Sequence, residues 1–265
     1  MLYFSSTLKK PEYTLDANAL FSTLELHGEA FCLFDGGKDV WARDYMPVRN
    51  HKGDFLSFRY EPSYLKDCPE KRTDYRTDLR LSFPVHYSSI NLDGGNVVFS
   101  PSREKAIISD RVFTENPEWD RKNLEVKLAG LLDASVYFIE SLPSDMTGHA
   151  DGMVRFLSED TVLINHTSYK HGLEQRQADA LKEMGFNVIE FPFFWSGSCS
   201  AAGSYLNYLE TARHIFLPVF DLPTDTSALE MASKLFRKEV IPVPLCEIPG
   251  EGGALNCISW EDGTD

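Results

Sequence analysis

Apolar and polar positions along the chain repeat the same arrangement several times. In the clearest copy, Asn116-Pro117 has the chemistry of a helix N-cap followed by a first-turn proline. Apolar residues Leu124, Leu128, Leu131 and Leu132 then share one helical face, so a helix is predicted over 116–132. A short apolar run at 136–139 reads as a strand. After it comes a polar, glycine-bearing segment, Thr147-Gly148-His149-Ala150-Asp151-Gly152. Two β-rich runs, 153–156 and 162–165, then flank a turn at Ser158-Glu159-Asp160.

A second copy has a helix over 173–184 stopped by Gly185, a strand over 187–191, and the segment Ser200-Ala201-Ala202-Gly203-Ser204, with strands over 205–209 and 215–218. A third runs through a helix over 227–236, a strand over 240–243, and the segment 252–257. Two earlier copies are less regular. One places a helix over 16–24 and a strand over 30–34 before Trp41-Ala42-Arg43-Asp44. The other places a polar, looped stretch over 61–80 before Asp93-Gly94-Gly95-Asn96. With Asp44, Asp93, His149, Ser204 and Cys257 as anchors, the spacings are about 49, 56, 55 and 53 residues, close to the lengths of repeat architectures. Five units that cannot each bury their own sheet face favour closure into a ring with the polar segments at its centre. No linker divides the sequence, which predicts one domain over 1–265.

Composition adds exclusions. The formal net charge of −14 argues against a nucleic-acid partner and is compatible with a cationic small molecule. No apolar run is long enough to span a membrane, and the N-terminus lacks the pattern of a signal peptide. The five cysteines are scattered, without metal-ligand or CxxC spacing, and suit a reduced, cytoplasmic setting. A homodimer is among the assemblies the sequence allows.

If the five segments converge, they bring together a thiol (Cys257), an imidazole (His149) and three carboxylates (Asp44, Asp93, Asp151). Carboxylates match the planar fork of a guanidinium, a thiolate can attack its central carbon, and an imidazole near pKa ~6.5 can shuttle the proton. Each residue also has a plainer reading. Cys257 could be core packing, Asp44 and Asp93 turn residues, Trp41 packing, and His149-Ala150-Asp151 a metal-ligand pair. His166 and His171 lack ligand geometry, and Gly197-Ser198-Cys199-Ser200 lacks a nucleophile-elbow pattern.

The run Trp41-Ala42-Arg43-Asp44-Tyr45-Met46-Pro47 resembles the Trp-x-Arg-Asp-x-x-Pro motif of the agmatine deiminase and bacterial peptidylarginine deiminase family. Asp93-Gly94-Gly95-Asn96 is similar to its Glu-Gly-Gly-Asn, Gly148-His149-Ala150-Asp151 to its Gly-His-x-Asp, and Ser204-Tyr205-Leu206-Asn207 to its Ser-Tyr-x-Asn. The glycine-rich approach to Cys257 completes the set in the family's order. The resemblance implies an α/β pentein fold, a five-bladed propeller with pseudo-fivefold symmetry. It implies a cofactor-free, metal-free deiminase in which Cys257 is nucleophile, His149 acid and base, and Asp93 its support. Asp44 and Asp151 would bind the guanidinium, with Trp41, Arg43, Asn96 and Gly253 also at the substrate.

Three departures stand out. Asp93 replaces a longer glutamate, Asn256 replaces a histidine usual before the cysteine of agmatine deiminases, and the tryptophan-rich N-terminal segment of those enzymes is not in this sequence. Rival outcomes are amidino transfer to an amine, a metal-dependent hydrolase using His149 and Asp151, and a silent guanidinium-binding protein.

Overall fold

The computed structural model describes residues 1–143, 145–166, 172–195 and 200–263. Among the described residues the strands form five three-stranded sheets. In one of them Val97–Phe99 pairs antiparallel with Lys105–Ser109, which pairs parallel with Ser135–Ile139. The sheets of Val48–Arg49, Phe55–Arg59 and Val85–Asn91, and of Leu209–Glu210, His214–Val219 and Glu239–Pro244, repeat that pattern. Another is ordered Asn187–Phe191, Thr161–Asn165, Val154–Ser158. In the last, Leu2–Ser5 is central, antiparallel to Ser259–Glu261 and parallel to Phe31–Phe34.

Parallel neighbours need a long crossover, and helices fill four of the five links between the central strand of a sheet and the neighbour that follows it in sequence. These are Thr14–Leu26, Arg121–Leu132, Leu173–Glu183 and Asp225–Leu235. Between Phe55–Arg59 and Val85–Asn91 the crossover has only short 3-10 turns, Ser63–Leu65 and Pro69–Lys71, as the polar sequence there predicts. The polar segments share one place in the topology. Each lies just before the first strand of an antiparallel pair: Ala42–Tyr45, Gly94–Asn96, Ala150–Gly152, Asn207 and Cys257.

Contacts divide the chain into two compact units. Met1–Arg43 with Glu190–Asp265 forms one, and Asp44–Ile189 the other. The first has its own core, in which Phe4, Leu20, Leu24, Phe216, Val243 and Ile258 are fully buried. In the second, the strand Lys105–Ser109 separates two cores. Ile107 enters a cluster with Val154, Val162 and Leu181, while Ala106 and Ile108 face Leu124, Leu128 and Leu132. That is the two-sided alternation of a strand buried on both faces. Each such aliphatic side chain contributes roughly 1.5–3 kcal/mol when fully buried.

The helix predicted from Asn116 begins instead at Arg121, capped by Asp120, whose side chain accepts from the Asn123 N–H at 3.1 Å. Asn116 is engaged elsewhere. Its amide donates to the carbonyls of Asn91 and Val112 and accepts the Asn91 N–H. The strand expected over 205–209 shrinks to Leu209–Glu210, because the preceding residues turn. Cys199, Gly197, Ser198 and His171 lie outside the described residues. Among the described residues no helix is long and apolar enough to cross a membrane, and Cys32, Cys68 and Cys246 are free thiols.

Candidate active site

In the unit Asp44–Ile189, three aspartates gather round one imidazole. His149 is 5% exposed, with Asp44, Asp93 and Asp151 equally well buried. Its Nε2 meets Asp93 Oδ2 at 2.7 Å and its Nδ1 lies 3.4 Å from Asp44 Oδ1. Asp93 is thus long enough to reach the histidine despite replacing a glutamate. The same Oδ2 accepts the Tyr64 hydroxyl at 2.8 Å, so Tyr64, Asp93 and His149 form a chain. A narrow cleft borders it, lined by Tyr64, Asp93, Arg111, Glu115, Thr147 and His149 among others.

Gly95 sits at the hub of this group. Its N–H donates to Asp44 Oδ1 at 3.2 Å. A Cβ there would fall 2.5 Å from Asp44 Oδ1, 2.8 Å from His149 Nδ1 and 3.3 Å from Asp151 Oδ2. Only a residue without a side chain lets the three polar groups close in.

Burial works against a charge on His149, but Asp44, Asp93 and Asp151 outweigh it and raise the pKa from 6.5 to about 10. The imidazole therefore holds its proton at neutral pH, unlike the group near 6.5 that the sequence suggests. Both ring nitrogens then carry N–H groups, one for each flanking carboxylate.

The second constellation belongs to the other unit and is centred on Cys257, which is 9% exposed. Asn207 organises it. The Asn207 Oδ1 accepts the backbone N–H groups of Ala254, Asn256 and Cys257 at 3.2, 3.1 and 3.2 Å. Those three donors fix which end of the amide is oxygen, so the nitrogen end points at sulfur. Nδ2 donates to Cys257 Sγ at 3.0 Å. The backbone is tied from the other side as well: the Arg43 N–H donates to the Cys257 carbonyl at 3.0 Å.

Arg43 is anchored on the same loop. Its guanidinium grips Glu261 at 3.2 and 2.6 Å, and its Nε donates to the Asn256 carbonyl at 3.3 Å. It braces the cysteine loop. The Asn96 Oδ1 accepts the N–H groups of Ser109 and Ala150, fixing the turn that carries His149. Trp41 lies against Gly253 so closely that any Cβ there would overlap the indole.

Comparison with known proteins follows the same pattern. The family model for the Porphyromonas-type peptidyl-arginine deiminase matches residues 19–262. The chain belongs to that family. Its fold is the pentein fold: the agmatine deiminase of Enterococcus faecalis superposes with a TM-score of 0.74 at 16% identity, covering 98% of this chain and 92% of that one. The C. jejuni agmatine deiminase gives 0.72 at 16%, covering 98% and 91%. By sequence, the agmatine deiminase of Pseudomonas aeruginosa (strain UCBPP-PA14) is 26% identical over 72% of this chain and 60% of its own length. That of Pseudomonas fluorescens (strain SBW25) is 25% identical over 86% and 66%. The chain thus spans about 60% of the length of the first of these curated relatives.

Within the family's motifs the sequence singles out Asp44, Asp93, His149 and Asp151, and the structure brings these four together. It does not single out Asn207, Gly95 or Tyr64. Asn207 and Gly95 stand inside recognised motifs, but their partners are about fifty residues away in sequence. Tyr64 lies in the loop stretch and carries no local signal.

Proposed function

We propose that this protein is a thiol-dependent deiminase that hydrolyses the guanidinium of a small cationic compound to a ureido product and ammonia. The observation carrying this reading is the set of three buried aspartates around His149. Even with that imidazole protonated, three carboxylates face one positive charge, an excess that a bound guanidinium would halve.

In this mechanism Asp44 and Asp151 hold the guanidinium fork, and the thiolate of Cys257 attacks its central carbon. The C–N bond breaks as His149 gives its proton to the leaving nitrogen, releasing ammonia and leaving a thiouronium on sulfur. Substrate binding favours that transfer, because carboxylates engaged by the guanidinium hold the imidazolium proton less tightly. Neutral His149 then takes a proton from water, which attacks the thiouronium carbon. The C–S bond breaks, the thiol is restored and the ureido product leaves. Asp93 keeps the imidazole oriented throughout, and the Asn207 N–H supports charge on sulfur. No cofactor enters the scheme.

The relatives named agmatine deiminase make agmatine the first substrate to test. Its distal amine suits an acidic protein, and a reduced, cytoplasmic setting suits a catalytic thiol. The decisive experiment assays ammonia and ureido product with agmatine, arginine, methylated arginines and a peptidyl-arginine, beside Cys257→Ala. Turnover of one of these by the wild type, abolished in the variant, is expected. Equal turnover by the variant would end the proposal, as would tight binding without product across the panel.

A further inference from the structure

Outside the candidate active site, three side chains from separate elements of one unit converge: His27, His214 and Glu239. Each offers one ligand atom, and these atoms lie within 4.8 Å of one another. His27 caps the C-terminus of the helix Thr14–Leu26. His214 and Glu239 are the first residues of two parallel strands and are partners in register.

The strongest sign of design is the far side of His214. Its Nδ1 meets Glu29 Oε1 at 2.6 Å, and Glu29 itself is largely buried. Glu29 also accepts the Thr211 hydroxyl at 2.9 Å and lies 3.6 Å from the Arg213 guanidinium. A carboxylate holding Nδ1–H leaves the Nε2 lone pair facing outward, as outer-shell carboxylates do for metal-bound histidines. That Nε2 lies 3.7 Å from Glu239 Oε2, too far for a hydrogen bond. Ligand bonds of about 2.1 Å in a tetrahedron would place neighbouring ligand atoms about 3.4 Å apart. Glu239 is 66% exposed and can rotate to close the difference.

His27 completes the set. Its ring stands edge-to-face with His214, centroids 5.5 Å apart. Among the described residues neither of its nitrogens has a hydrogen-bond partner. Its position is fixed by the backbone, since Arg213 donates to the carbonyls of His27 and Gly28 at 3.3 and 2.9 Å.

We propose that His27, His214 and Glu239 form a site for a first-row divalent transition ion of the Zn2+ class, with water as fourth ligand. Two imidazoles and one carboxylate suit such an ion and disfavour Ca2+ or Mg2+. The ion clamps the end of the helix Thr14–Leu26 to the starts of two strands. This role is independent of Cys257 chemistry.

Titration of the full chain with ZnCl2, and with CoCl2 to read visible ligand-field bands, tests the site. One saturable equivalent is expected for wild type, with a rise in Tm. That equivalent and the Tm increment disappear in His27→Ala and in Glu239→Gln, whose exposed side chain is not needed for folding. Glu29→Gln retains the site but weakens it about 10–100-fold. Absence of a saturable equivalent in wild type, or its survival in both His27→Ala and Glu239→Gln, overturns the proposal.

Discussion

Asn207 donates its side-chain N–H to Cys257 Sγ at 3.0 Å while its oxygen collects three backbone N–H groups from the same loop. One side chain both shapes the turn and addresses the sulfur. Asn207→Asp keeps the acceptor and removes the donor, placing a carboxylate beside the thiol. The expected outcome is a loss of about 100-fold or more in kcat, the scale seen when a donor at a developing charge is removed. Slower alkylation of Cys257 by iodoacetamide should accompany it.

Gly95→Ala tests the closeness of the acid cluster. The added methyl must displace Asp44 or His149, which are buried and mutually bonded. A shift near 1 Å at reacting groups costs about 100-fold in rate. Overpacking should also cost about 1–3 kcal/mol of stability. Turnover of whichever guanidine proves to be substrate, measured beside urea denaturation, checks both effects.

The raised pKa of His149 makes stability depend on pH in a stated direction. The folded state binds this proton more tightly than the unfolded chain, whose histidine titrates near 6.5. The stabilisation is therefore complete below that pH, declines above it and is gone once pH passes about 10. Denaturation of wild type across this window should show a steeper fall than His149→Gln. Equal slopes would contradict the charged state assigned to the imidazole.

Tyr64→Phe removes the second hydrogen bond on Asp93 Oδ2 and leaves His149 as its partner there. A carboxylate relieved of one donor attracts protons more strongly, so His149 should titrate higher still, read by NMR of its ring. The stability cost should be about 0.5–1.5 kcal/mol.

Much of the fold is legible because helix and strand periods differ and recur. The helices near 173 and 227 and the strand Asn187–Phe191 follow directly from the pattern. The start at Arg121 was not legible, because Asn116 looks like a cap until its cross-connection to Asn91 is known. The same limit applies at the candidate site. Asp44, Asp93, His149 and Asp151 announce themselves by chemical type. Asn207 and Arg43 reveal their work only through partners distant in sequence. Glu261 gives no local hint that it will grip Arg43, nor His27 that it will face His214.

The crossover between Phe55–Arg59 and Val85–Asn91 is built of turns where the other four have helices. A helix there would owe its residues to packing, whereas a turn-rich segment can lengthen, shorten or change composition without emptying a core. Yet this segment supplies Tyr64 to the acid cluster. Natural variation should therefore concentrate in this stretch, giving selection a place to retune the family's chemistry while the rest of the scaffold is left intact.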